Sequence, residues 1–223
     1  MVAAGRRVKI RAVIFDLDGT IADSVELFYG FACEVAVDLE LPPPEREDVF
    51  ALMRTGRSTL THLVPATISS ERVNAAFSAR GAQWLRRYHD ETDPIPGSVE
   101  TLRQLHASGR VLGIATSSGR DVPFLQRWGV RELFSAIVGR EDVEQRKPAP
   151  EVVLRCLERL EVQSGQAIYV GDSPIDIQAG RAAGVATVGV LSGASPQPVL
   201  AAEGPDAILA SIAELPELLA RLG

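Results

Sequence analysis

The chain has 223 residues, 46% of them apolar and 23% charged, with a formal net charge of −6. That length suits one large domain or a core with a smaller insertion. The acidic balance lacks the cationic surface that nucleic-acid binding needs, but a local cation can still admit an anionic small molecule.

Met1 to Arg11 carries basic residues without the apolar run of a secretion signal. No apolar stretch approaches the ~20 residues of a membrane span, so a cytoplasmic protein with no membrane partner is expected. Cys33 and Cys156 have no metal-binding spacing, and reduced, buried thiols are expected rather than a disulfide. Val8 to Phe15 is a β-branched run ending in the acidic turn Asp16-Leu17-Asp18-Gly19-Thr20. The spacing of Leu27, Phe31, Val35 and Leu39 predicts a helix from Ser24 to Leu39. Pro42-Pro43-Pro44 stops it, and Glu45 to Met53 reads as a short helix. A long helix follows Ser69-Ser70, with Val73, Phe77, Trp84 and Tyr88 along one side, where packing is their expected role.

Beyond Pro94-Ile95-Pro96-Gly97 the pattern alternates between strand and helix. Strands are predicted at Val111 to Ala115, Ala136 to Val138, Ala167 to Val170, Val185 to Val190 and Ala207 to Leu209. Helices are predicted at Asp121 to Trp128, Pro150 to Leu160, Ile175 to Ala183 and Leu215 to Leu222. Such alternation implies an α/β fold, a Rossmann-like parallel sheet covered on both faces. The first strand joins that sheet, so an all-helical insertion is expected at 21–94, with the core formed by 1–20 and 95–223.

In such a sheet the reacting groups lie beyond the carboxyl ends of the strands. Four polar clusters fall there: Asp16 with Asp18, Thr116 with Ser117, Lys147, and Gly171-Asp172-Ser173 with Asp176 beyond. Singly, each is as well explained as a turn or helix cap; their common placement argues for one site. Crowded carboxylates stay ionised only around a cation. Oxygen donors without histidine or cysteine spacing favour a hard ion, best Mg²⁺. A carboxylate attacking phosphorus gives an acyl phosphate that water can cleave, and an acid two residues along can protonate the departing alcohol. Lys147 and Thr116 can hold the transferring group.

These residues resemble the haloacid dehalogenase superfamily over nearly the whole chain, in its branch of phosphoglycolate phosphatases and β-phosphoglucomutases with a helical cap. Asp16-Leu17-Asp18-Gly19-Thr20 resembles the first motif, Thr116 the second, Arg146-Lys147-Pro148 the third and Gly171-Asp172-Ser173-Pro174-Ile175-Asp176 the fourth. The resemblance implies Asp16 as nucleophile, Asp18 as acid/base, and Thr116, Ser117 and Lys147 as phosphate-binding residues. It implies metal ligation by Asp16, the Asp18 carbonyl and Asp172, with Asp176 either a ligand or a partner of metal-bound water. Ser117 stands where many relatives have Asn. The insertion resembles a cap hinged at Ile21 to Asp23 and near Pro94, with Arg54, Gly56 and Arg57 on a loop reaching into the pocket; solvated surface charges are the plainer reading of both arginines. Dehalogenation fits poorly, since Asp18 and Asp172 are present. Phosphonoacetaldehyde-type hydrolysis needs a cap lysine, and the only lysines are Lys9 and Lys147. A sugar-phosphate mutase usually carries a cap histidine where this chain has Phe28, and a phospho-receiver switch has no place for the insertion. The expectation is a Mg²⁺-dependent phosphatase acting on a small phosphorylated metabolite; the sequence leaves oligomeric state open.

Overall fold

The computed structural model describes residues 10–56 and 63–222. Lys9, Arg57 and His62 therefore lie outside the described residues. In chain order the elements are β1 (Ala12–Phe15), β2 (Ala22–Asp23), α1 (Val25–Asp38), α2 (Arg46–Met53), α3 (Ser70–Glu91), β3 (Asp93–Pro94), α4 (Ser98–Ala107) and β4 (Val111–Ala115). They continue with α5 (Phe124–Arg127), β5 (Phe134–Val138), α6 (Glu151–Leu160), β6 (Ala167–Gly171), α7 (Pro174–Ala182), β7 (Ala186–Val190), α8 (Gln197–Ala202), β8 (Ala207–Leu209) and α9 (Leu215–Leu222).

Six strands form one sheet in the order β5-β4-β1-β6-β7-β8, and every neighbouring pair is parallel. Its faces follow the two-residue period of a strand. Val13 and Phe15 of β1 join one buried cluster, with Leu102, Leu125 and Ile168. Ala12 and Ile14 join the other, with Val153, Cys156 and Tyr169. Helix α6 buries Val152, Val153, Cys156, Leu157 and Leu160, one face of a helix. It comes so close to β4 that a Cβ on Gly113 would lie 2.6 Å from Cys156 Sγ and 3.0 Å from Leu160 Cδ1.

Helices α1, α2 and α3 build a third cluster, from Val25, Val35, Leu39, Phe50 and Val73, with Ala194 packed into it from the loop after β7. The chain leaves and re-enters the sheet region through a two-stranded ribbon, Ala22 opposite Pro94 and Asp23 opposite Asp93. Arg127 donates to the carbonyls of His89 and Thr92 at the end of α3, a favourable place for a cation. Among the described residues, no helix is long and apolar enough to cross a membrane.

The structure corrects several expected boundaries. Helix α5 is one turn long, because Pro123 stands at its start and Gly129, with φ +66°, ends it. Strand β5 begins two residues early, at Phe134. Helices α4 and α8 and the β2–β3 ribbon were not anticipated; α4 is predominantly polar and buries only Ser98, Thr101, Leu102 and Leu105. Both cysteines are free, but Cys33 is half-buried rather than buried. Burial pushes the Cys156 thiol up to about 12, which keeps it inert.

Gly113→Ala is expected to destabilise the protein by about 1–3 kcal/mol through overpacking. Thermal melting should show a midpoint lowered by roughly 2–10 °C. Adding Cys156→Ala should recover part of the loss, because it opens the space the new methyl group needs.

Candidate active site

The register of the sheet brings the sequence motifs together. Phe15 pairs with Ile114 on one side and Val170 on the other, so the residues just past β1, β4 and β6 emerge at one edge. Asp16 continues the ladder, its N–H donating to Val170 O at 2.7 Å, and Thr116 N donates to Val138 O at 3.0 Å. Beyond Asp16 the chain folds tightly, with Ile21 N and Ala22 N both on Leu17 O. Past β6, Ser173 and Pro174 open α7, with proline at the first helical position, where its missing N–H costs nothing. Asp176 closes a capping box, its Oδ2 accepting from Ser173 N at 3.1 Å and from Ser173 Oγ.

Asp16, Asp172 and Asp176 offer carboxylate oxygens that all lie within 4.8 Å of one another. These residues are 7%, 5% and 1% exposed. Lys147 Nζ lies among them, 2.6 Å from Asp16 Oδ1 and 2.7 Å from Asp176 Oδ1. Burial pushes the Asp16 carboxyl up to about 7; Lys147 opposes the rise, while Asp176 and Asp18 add to it. Burial, then the charges of Asp176 and Asp16, push Asp172 well above the carboxylate range. Burial also works against the Lys147 ammonium, but the two carboxylates outweigh it and hold its pKa above the usual lysine value. Three buried acids against one ammonium leave a deficit of positive charge.

The oxygens divide into committed and open ones. Asp176 is committed at both, to Lys147 and to Ser173. Asp172 Oδ2 accepts from Ala194 N at 2.7 Å, and Gly193 is so close that a Cβ there would lie 2.0 Å from that oxygen. Asp16 Oδ2 and Asp172 Oδ1 accept no protein hydrogen bond among the described residues. Two open, buried carboxylate oxygens beside a charge deficit fit a small hard cation.

Asp18 is held differently, by hydroxyl groups. Its Oδ1 accepts from Ser24 Oγ at 2.6 Å and from Tyr88 OH at 2.9 Å, and its Oδ2 accepts from Ser118 Oγ. Burial and the neighbouring Asp18 charge raise the Tyr88 phenol well above its ordinary value, so it remains a donor. Tyr169 lies beneath the site. Its hydroxyl is 2.7 Å from Ala115 O and 3.1 Å from Asp176 Oδ1, and its ring lies 5.3 Å from Lys147 Nζ.

A cleft of about 280 Å³ opens over these groups, lined by Asp16, Asp18, Thr116, Ser117, Lys147 and Asp172. Phe28, Met53 and Gly56 close it from the helical segment, and Ser118 and Arg146 line it from the sheet side. Thr116 is buried, with its Oγ1 accepting from Ser118 N at 3.0 Å, whereas Ser117 is exposed. Arg146 is exposed and has no ion-pair partner among the described residues. A second hollow, about 210 Å³ between α1 and the Pro42-Pro43-Pro44 turn, is mainly apolar and contains none of the motif residues.

The expected pocket loop is corrected in part. Gly56 lines the cleft, with φ +64°. Arg54 does not line it and is no solvated surface charge either. It is 9% exposed, its Nε donates to Ala194 O at 2.8 Å, and its Nη1 meets Glu47 Oε1 at 2.6 Å. Arg57 lies outside the described residues. Sequence reasoning missed Ser24, Tyr88, Ser118, Arg146 and Tyr169. Ser24 reads as a helix cap, and Ser118 and Arg146 merely adjoin motif residues. Tyr88, 70 positions from Asp18, carries no local signal.

Comparison with known proteins identifies the family. The haloacid dehalogenase-like hydrolase family matches residues 13–190. A phosphoglycolate phosphatase of Chromobacterium violaceum is 33% identical, the match covering 94% of this chain and 96% of that protein. Among solved structures, a predicted phosphoglycolate phosphatase from Haemophilus somnus 129PT superposes with a TM-score of 0.84 at 24% identity, covering 94% of this chain and 97% of its own. A β-phosphoglucomutase from Clostridium difficile superposes with a TM-score of 0.77 at 20% identity, covering 96% of each chain. At those identities the two structures speak for the fold alone. The family match spans most of the sheet and all four motifs, and the chain belongs to the haloacid dehalogenase-like hydrolases.

Proposed function

We propose that the protein hydrolyses small organic phosphate monoesters, phosphoglycolate or a sugar phosphate among them, through an aspartyl-phosphate on Asp16. The observation that carries this reading is the buried set Asp16, Asp172 and Asp176 around Lys147, with Asp18 two residues beyond Asp16. The names of relatives such as the Chromobacterium violaceum protein support the substrate class.

Asp16 and Asp172 would hold Mg²⁺ through their open oxygens, with the Asp18 backbone carbonyl completing the protein ligands; Asp176 instead fixes Lys147. When bound, the ion would neutralise charge on the phosphoryl group and on the attacking carboxylate. Asp16 attacks phosphorus, and the ester oxygen departs as an alcohol with a proton from Asp18. Asp18 then takes a proton from water as that water attacks the acyl phosphate, releasing inorganic phosphate and restoring Asp16. Lys147 holds Asp16 through Oδ1 and adds positive charge beside the phosphoryl oxygens. Thr116 and Ser117 supply hydrogen bonds to them.

Residues 21–94 would act as the cap over the core of 1–20 and 95–223, pivoting on the β2–β3 ribbon. Its contribution to the cleft is one of shape, from Phe28, Met53 and Gly56. Arg54 would tether the cap to the loop after β7 rather than read the substrate. Arg146, the cleft cation with no ion-pair partner among the described residues, suits a second anionic group such as a carboxylate. Phe28 offers no proton-transfer group, and Lys147 is the only lysine besides Lys9; among the described residues, nothing lining the cleft favours mutase chemistry.

Asp16→Asn should lower phosphate release by on the order of 10³-fold or more, and Asp18→Asn by about 10²–10⁴-fold; near-normal turnover by the Asp16 variant would reject the mechanism. Mg²⁺ at a hundred times its Kd should stabilise the protein by about 2.7 kcal/mol, read as a rise in melting midpoint. In Asp172→Asn, which keeps an oxygen for Ala194 N, that rise should disappear. Arg146→Ala should reduce the preference for 2-phosphoglycolate over ethyl phosphate, measured as a ratio of kcat/KM, by about tenfold. An unchanged ratio would remove Arg146 from substrate recognition.

A further inference from the structure

Tyr88 belongs to the aromatic side of α3 and, on packing grounds alone, needs no function. Its ring stacks on Trp84 at 5.2 Å and 15° and meets Phe124 edge-on at 5.4 Å and 86°. It is only 4% exposed, yet its hydroxyl reaches Asp18 Oδ1 at 2.9 Å. The main chain there is fixed as well. Thr92 Oγ1 donates to Tyr88 O at 2.5 Å, and Arg127 ties the carbonyls of His89 and Thr92 to α5. A tyrosine has two side-chain torsions, and the stacked and edge-on rings hold both. Its hydroxyl is therefore the donor to Asp18 whose position packing determines.

The other two donors are small rotors. Ser24 stands at the N-cap of α1 but makes no capping bond; its hydroxyl goes to Asp18 Oδ1 instead. Ser118 lies on the half-exposed loop after β4 and serves Oδ2. Oδ1 thus accepts two hydroxyl hydrogens from residues outside the sheet, whereas Oδ2 accepts one.

We propose that Tyr88 is a positioning residue for Asp18: with Ser24 it saturates Oδ1, orients the carboxyl group and leaves Oδ2 to carry the proton in both half-reactions. This rests on the hydrolase reading above. In the first step the proton leaves Oδ2 for the ester oxygen as the P–O(ester) bond breaks and the Asp16–phosphorus bond forms. In the second, a proton from water returns to Oδ2 as the water oxygen bonds to phosphorus and the acyl-phosphate bond breaks. Ser118 yields Oδ2 by rotating its hydroxyl, a motion the stacked Tyr88 ring does not have.

The test is a leaving-group comparison on the Mg²⁺-loaded enzyme. 2-Phosphoglycolate releases an alkoxide that needs a proton, whereas p-nitrophenyl phosphate releases a phenolate that scarcely does. Should the wild type not turn over 2-phosphoglycolate, the alkyl phosphate with its highest kcat/KM takes that place. Tyr88→Phe, which keeps the ring, is expected to lower kcat/KM for the alkyl ester about tenfold and that for the aryl ester less than about threefold, the scale of one hydrogen bond to a charged group. In the Asp18→Asn background Tyr88→Phe should cause no further loss. Ser24→Ala, which leaves the aromatic cluster intact, should reproduce the same pattern and keeps the test open if Tyr88→Phe folds poorly. Equal losses on both esters, a loss that persists without Asp18, or no loss in either variant would reduce Tyr88 to packing and overturn the proposal. Failure of the wild type to release phosphate from any ester would instead overturn the hydrolase reading, and this one with it.

Discussion

Three carboxylates buried around one ammonium are the constraint on which this structure depends. Asp16, Asp172 and Asp176 share a volume in which their oxygens lie within 4.8 Å, and water reaches little of it. Taking charges out of water is costly unless opposite charge and hydrogen bonds compensate, and Lys147 compensates only part. The remainder shows as raised carboxyl pKa values at Asp16 and Asp172. A small divalent cation is the kind of group that such a deficit would favour.

Two of these acids stand at the ends of adjacent strands in the middle of the sheet. Strands β1 and β6 are buried along their whole lengths, and Asp16 and Asp172 each directly follow the last residue of one of them. Helix α7 begins within the site, so Asp176 caps its first turn while bonding Lys147. The loop after β7 supports the arrangement from the far side, with Ala194 N on Asp172 and Ser192 Oγ on Gly19 O at 2.8 Å. Any side chain at Gly193 would collide with the carboxylate that this loop supports.

The helical segment does more than cover the cleft. Through Ser24 and Tyr88 it supplies two of the three hydroxyl groups on Asp18, and through Arg54 it grips the Ala194 carbonyl, one peptide unit from the N–H that holds Asp172. Asp18 and Asp172 are thus both braced by groups that the sheet alone does not provide. Phe28 and Met53, which line the cleft, and Tyr88, which bonds Asp18, lie on the same three helices, with Gly56 just beyond the second.

The linear chain determined the parallel sheet and the membership of its acidic edge. Strand and helix periods are local, and Asp16, Thr116, Lys147 and Asp172 each follow a strand, so the rule that strand ends converge was enough to group them. It also located α1, α2, α3 and α6, whose apolar faces repeat at helical spacing. Only the tertiary structure decided how the oxygens are shared. Asp176 could be assigned to Lys147 and Ser173 only from distances, and Arg54 turned to Glu47 and a main-chain carbonyl rather than to the pocket. Tyr88 looked like packing because its ring does pack, while its hydroxyl finds Asp18 across 70 residues. Hydrogen bonds depend on where atoms end up to within a few tenths of an ångström, and that is settled by how α3 lies against the sheet, which no local pattern encodes.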